Sequence, residues 1–248
     1  MIICKSPSEI KKLKKSSQIV ASILAELRKH VHAGVTTREL DQLAEKMIKK
    51  YHCLPAFKGY RNYPACLCAS VNEQIVHGIP DDRKLQNGDI VSLDIGVKNN
   101  GYYGDAAITV PVGEIDPESQ KLLRVTKESL YKGIEKARAG NRLSDISNAT
   151  QTWVERHNFS VVRDFVGHGI GKNLHEEPQI PNFGRPGFGP RLREGMVFCL
   201  EPMVNAGSYG IKILDDGWTA VTSDGSRSAH FEHAIAITND GPLILSEL

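Results

Sequence analysis

Asp94 and Asp105 stand eleven residues apart in Val91-Ser-Leu-Asp-Ile-Gly-Val-Lys-Asn-Asn-Gly-Tyr-Tyr-Gly-Asp-Ala-Ala-Ile-Thr-Val110. The stretch reads as two apolar strands joined by an Asn-Asn-Gly turn. A turn on Asn99-Asn100 sets Asp94 directly opposite Asp105, whereas one on Asn100-Gly101 sets Asp105 opposite Gly96, diagonal to Asp94. Either register leaves both carboxylates on one face, because side chains alternate with period two. Opposed side chains lie roughly 4.5–5.5 Å apart, where like charges repel. Two acids so placed in an apolar hairpin call for a bound cation; a shared proton or a solvated face are the alternatives.

The elements that must position this pair repeat along the chain. Ser6-Pro-Ser-Glu9 is an N-cap, a helix-starting proline and a capping-box acid, and Ile10, Leu13, Val20, Leu27 and Val31 follow at helical spacing up to Gly34. Thr36-Thr-Arg-Glu39 opens a second helix with Leu40, Leu43, Met47 and Ile48 on one face. Residues 55–82 read as irregular. Beyond the hairpin, Asp116-Pro-Glu118 starts a third helix running to about Ala139-Gly140. A fourth spans about Leu143 to His157, with Ile146, Ala149, Trp153 and Val154 inward. After Phe159 the chain reads as strands and glycine-rich loops.

Four echoes join the halves: Ala33-Gly34 with Ala139-Gly140, His77-Gly-Ile79 with His168-Gly-Ile170, Gly88 to Asp94 with Gly195 to Glu201, and Asp105-Ala-Ala-Ile with Glu232-His-Ala-Ile. Drifting offsets mark a diverged duplication. Its pseudo-twofold would gather Asp94, Asp105, Glu201 and Glu232 at the centre. Their four negative charges are cancelled by two divalent cations. Oxygen ligands with one imidazole suit Mn, Fe(II), Co or Zn, and metals about 3.5–4 Å apart form a hydrolytic device. The run Val166-Gly-His-Gly-Ile-Gly-Lys-Asn-Leu-His-Glu176 supplies His168 and His175, its glycines allowing a sharp backbone path.

Other chemistries lack their motifs: there is no G-x-S-x-G elbow, no Walker A and no G-x-G-x-x-G opening a helix. A net charge of +2 on 248 residues argues against a dedicated nucleic-acid binder, and the basic run Lys11-Lys-Leu-Lys-Lys15 reads as a solvated helix face. Five cysteines without a C-x-x-C pair fit a reducing cytoplasm. No apolar leader or 18-residue apolar run indicates secretion or membrane spanning.

The spaced set Val76-His-Gly-Ile-Pro80, Asp94, Asp105, Gly167-His-Gly-Ile-Gly171, Glu201-Pro-Met203 and Phe231-Glu-His233 resembles the type I methionine aminopeptidases over essentially the whole chain. The resemblance implies the α+β, pseudo-twofold "pita-bread" fold: a central antiparallel sheet with two helix pairs on its outer face. It would be one catalytic domain over 1–248, with halves of about 1–112 and 113–248. By the same resemblance Asp94, Asp105, His168, Glu201 and Glu232 bind two metals, Asp105 and Glu232 bridging. A hydroxide held between the metals would attack the peptide carbonyl, with Glu201 helping to move protons. His77 would lie near the scissile nitrogen and His175 would stabilise the tetrahedral intermediate. Phe57, Tyr60, Tyr63, Cys68, Leu174 and Trp218 would hold the methionine side chain. Leu174 and His230 stand where the family often has an aromatic residue and Gln. The implied activity is removal of the initiator methionine from nascent polypeptides, when the second residue is small, by a cytoplasmic monomer. The ribosome is a possible further contact, whereas membrane and specific nucleic acid are not expected partners. An X-Pro aminopeptidase or prolidase of the same fold, or a non-catalytic ribosome-associated binding protein, are the alternatives.

Overall fold

In the computed structural model, which describes residues 1–247, helix α1 (Pro7–His30) starts at the expected capping box. Ser6 accepts from the Glu9 backbone while the Glu9 carboxylate accepts from that of Ser6, and Thr36 and Glu39 repeat the device ahead of α2 (Thr37–Lys50). Such caps contribute about 1 kcal/mol each. In the second half Asp116 caps α3 (Pro117–Lys136), and α4 spans Leu143–Arg156. The α3 helix ends short of the expected Ala139-Gly140. Gly34 and Gly140, which follow α1 and α3, share a left-handed backbone with φ of 95° and 94°.

The strands of the first half are β1 (Leu54–Pro55), β2 (Leu67–Val71), β3 (Gln74–Val76), β4 (Ile90–Asn99) and β5 (Tyr102–Pro111). Those of the second are β6 (Ser160–Val161), β7 (Gly167–Gly169), β8 (Glu176–Ile180), β9 (Val197–Leu200), β10 (Met203–Asn205), β11 (Ile211–Ile213), β12 (Ala220–Thr222), β13 (Ser228–His230), β14 (Glu232–Thr238) and β15 (Gly241–Ile244). The stretch expected to be irregular, 55–82, therefore carries two strands. β2 pairs with β4 and β3 with β12, partners remote in sequence that no local pattern announces.

The central antiparallel sheet runs β1-β4-β5-β14-β9-β7-β8, with β2 beside β4 and β15 beside β14. The β4–β5 hairpin turns on Asn100-Gly101, so Asp105 opposes Gly96 and Asp94 opposes Ala107. Of the two readings of the turn, this is the diagonal one. The β5–β14 pair joins the halves at the centre.

The apolar faces of α1 and α2 pack with β2, β4 and β5 around Leu27, Leu40, Ile48, Leu93 and Val97. Those of α3 and α4 pack around Leu130, Ile134, Ile146, Phe198 and Ile235. On α2 the fully buried apolar positions are Leu40, Ala44 and Ile48, with Leu43 and Met47 half-buried beside them. On α4, Ile146 and Val154 are buried as expected, and Ala149 and Trp153 are half-buried, Trp153 packing against the core cluster that holds Val154, Phe159 and Val161. The Trp153 ring also lies under the Lys132 ammonium, 5.4 Å from its centroid.

Candidate metal centre and substrate pocket

Five neighbouring strands each deliver one ionisable side chain to a single cavity of about 170 Å³. Asp94 comes from β4, Asp105 from β5, Glu232 from β14 and His168 from β7, while Glu201 follows Leu200 at the end of β9. The register sets Cys68, Asp94, Ala107 and Glu232 in one row across β2, β4, β5 and β14. Ala107 ends at its Cβ, so the row leaves room between two carboxylates.

The residues fit a cationic centre. Asp94 Oδ1, Asp105 Oδ1, Glu201 Oε1 and Glu232 Oε1 are buried without a hydrogen-bond partner, a costly arrangement for anionic oxygens. Burial pushes the Asp94 carboxyl up to about 7. Burial and mutual repulsion push Asp105, Glu201 and Glu232 well above the usual carboxylate range. His168 Nδ1 lies 2.9 Å from the Gly169 carbonyl, to which it donates, leaving the Nε2 lone pair free. That Nε2 lies 3.5 Å from Glu201 Oε1 and 3.9 Å from Asp105 Oδ2. Burial drives the His168 imidazole down to about 3, so near neutrality it carries no proton to satisfy them. A neutral nitrogen facing two buried acid groups leaves a place where a positive ion would take over from the protons those acids otherwise keep.

Cys199 was not foreseen. Its sulfur and the ligand atoms of Asp105, His168 and Glu232 all lie within 4.8 Å of one another. Burial, then the charge of Glu232, raises its thiol well above the usual range, so it stands beside Glu232 as a neutral thiol rather than a thiolate ligand. Strand alternation was its available signal, since Cys199 and Glu201 are two residues apart.

Around this centre stand the other expected residues. Phe57, Tyr60, Tyr63, Cys68, Leu174 and Trp218 line the same cavity with His77 and His175. The Tyr63 and Trp218 rings meet edge-on at 5.1 Å. The Tyr63 hydroxyl is 3.1 Å and 3.0 Å from the carbonyls of Leu67 and Gly78. His175 Nδ1 is 2.8 Å from the Tyr60 hydroxyl, and its ring is 4.2 Å from that of His168. Burial and then Arg61 lower its pKa. His77 has φ of 61° and edge-on contacts with Phe165 and Trp218; burial lowers its imidazole to about 4. Arg61, also unforeseen, joins the lining from a left-handed turn (φ 47°), its guanidinium 5.5 Å above the Tyr60 ring. Exposed arginines are common, so composition offered no signal for it.

The model of metallopeptidase family M24 matches residues 11–239. Methionine aminopeptidase 1 of Bacillus subtilis (strain 168) is 56% identical over 248 residues, covering 100% of both chains. The methionine aminopeptidase of Clostridium perfringens (strain 13 / Type A) is 55% identical over 99% of each. The crystal structure of methionine aminopeptidase from Thermotoga maritima superposes with a TM-score of 0.98, at 50% identity and full coverage of both chains.

Proposed function

Because the chain belongs to metallopeptidase family M24, on its methionine aminopeptidase branch, we propose that Asp94, Asp105, His168, Glu201 and Glu232 hold the divalent metal with which it removes N-terminal methionine. The observation that carries the assignment is the row of buried, unpartnered carboxylate oxygens facing the bare Nε2 of His168. Charge count favours two ions, which Asp94, Asp105, His168, Glu201 and Glu232 would hold together, with Asp105 and Glu232 the acids that could serve both. The mixed oxygen and nitrogen set would suit Co, Mn, Fe(II) or Zn. When bound, such ions polarise a carbonyl and make water a nucleophile near neutral pH.

The chain's own groups do the rest. Glu201 Oε1, buried and free of hydrogen bonds, is placed to take a proton from the attacking water. With the Tyr60 hydroxyl donating to Nδ1, His175 keeps its proton on Nε2 and can donate to the developing oxyanion. His77, neutral through burial, stands across the cavity for the scissile amide nitrogen. Phe57, Tyr60, Tyr63, Cys68, Leu174 and Trp218 offer the methionine thioether an apolar, aromatic-rich slot.

Residues 1–248 then form one catalytic domain, with halves of about 1–112 and 113–248, since sheet and acids draw on both. The physiological substrates are nascent polypeptides with a small second residue. Five unpaired cysteines suit the reducing cytoplasm, and none of the described helices is long and apolar enough to cross a membrane. We further read the protein as a monomer, with Lys11, Lys12 and Lys15 on the exposed side of α1 available for a ribosomal contact.

A panel of Met-Ala, Met-Leu, Leu-Ala and X-Pro peptides, with chelator and with each metal restored, tests the proposal. Met-Ala should be cleaved only with metal, and its N-acetylated form refused. Turnover of X-Pro peptides without any on Met-Ala would overturn the specificity in favour of a prolidase-like enzyme.

A further inference from the structure

Lys5 is a lysine only 7% exposed, on the irregular segment ahead of α1. Its ammonium donates to Glu176 Oε2 in an ion pair whose side chains are 5% and 10% exposed. Such a pair adds little net stability, because desolvation offsets the attraction, yet losing one partner strands a buried charge. Its worth is therefore sought in what it holds in place.

Both ends of the pair are fixed to the site. At one end the Lys5 backbone N–H donates to the Gly195 carbonyl at 2.6 Å, beside the turn that leads into β9 and Glu201. At the other, the second carboxylate oxygen of Glu176 accepts from the Asn173 N–H at 3.1 Å. That bond closes a loop whose two middle residues, Leu174 and His175, line the cavity. Behind it, Gly171 donates to the Asn173 carbonyl at 3.1 Å and accepts from the Tyr103 N–H at 2.9 Å. A Cβ on Gly171 would lie 2.5 Å from Glu176 Oε1 and 2.6 Å from Lys5 Nζ, so loop, carboxylate and ammonium are packed in contact.

We propose that Lys5 is a positioning residue for the reaction: by anchoring Glu176 it fixes the loop that presents His175 to the substrate. The inference rests on the role given above to His175. A charge at the start of the chain thereby acts on the site through a single carboxylate, without touching substrate or metal.

The test is a double-mutant cycle on the metal-loaded enzyme with a Met-Ala peptide. Lys5→Met should lower kcat by roughly ten- to a hundredfold, as misplacement of a catalytic group does, with bound metal unchanged and KM nearly so. Lys5→Arg should recover most of the loss. In a His175→Ala background the same Lys5→Met change should cost nothing further. Equal losses in both backgrounds, or a Lys5→Met enzyme with normal kcat, would overturn the inference. If Lys5→Met fails to fold, Glu176→Gln carries the test: the amide keeps the bond to Asn173 but gives up the ionic anchor, so kcat should fall only where His175 is present. A His175→Ala enzyme with undiminished kcat would overturn the assigned role of His175 itself, a separate failure.

Discussion

The bare Nε2 of His168 makes the two ends of the carboxylate row unequal. At one end an imidazole and Glu201 lie 3.5 Å apart; at the other Asp94 stands between Cys68 and Ala107 across the sheet, with no imidazole opposite it. Imidazole favours borderline ions, and on the two-ion proposal a first ion would repel a second. Uptake should be stepwise, the histidine end tighter. Calorimetric titration of metal-free protein with Mn or Co should show Asp94→Asn removing only the weaker event and His168→Ala crippling the tighter one. The reverse pattern would show that the ends have been interchanged. At this scale strand period and internal echoes mark Asp94, Asp105, Glu201, Glu232, His77 and His168 in the sequence, and a glycine-rich run marks His175; the structure brings all seven to one cavity. Arg61 and Cys199 were not legible, since one reaches the cavity through an irregular turn and the other behaves as an ordinary buried thiol.

The hairpin that bears both aspartates is clamped from outside by α1. A Cβ on Gly104 would lie 2.5 Å from both the Ser16 carbonyl carbon and the Ser17 nitrogen, so helix backbone and strand backbone touch there. The Ser16 hydroxyl meets the Tyr102 carbonyl at 3.0 Å beside this contact. Backbone cannot swing aside as a side chain does. Gly104→Ala should therefore destabilise by about 1–3 kcal/mol or more, seen as a lower urea midpoint with little change in slope; an unchanged midpoint would mean that α1 yields easily. The helices themselves were readable, because capping boxes and apolar spacing are local. β2 and β3 were not, since their partners β4 and β12 lie far along the chain and the intervening Pro, Gly and aromatic residues resemble loop. Trp153 was readable too, since an aromatic residue at helical spacing reads as core and here it packs on Val154 and Phe159 while its other side meets Lys132.

For the molecule as a whole, the metal is a matter of stability as well as chemistry. Without it the carboxyls of Asp94, Asp105, Glu201 and Glu232 are raised, chiefly by burial. Such groups keep protons that the unfolded chain has released, so stability falls as pH rises through their native values. Burial lowers His77, His168, His230 and His233 to between about 3 and about 4. Their stability contribution grows with pH only up to the unfolded value of about 6.5, opposing the acids below it and not above. Metal-free protein should thus lose thermal stability between about pH 6.5 and pH 8, and metal should flatten that slope by taking the place of the protons. Scanning calorimetry with chelator would contradict this if the midpoint climbed over the interval. The strand order also has a consequence in time. β14 sits between β5 and β9 in space, yet it is made after both. A chain still under synthesis holds an open seam at the middle of its sheet, and Asp105 waits there without Glu232. An enzyme that works at the first residue of other chains must wait for one of the last strands of its own.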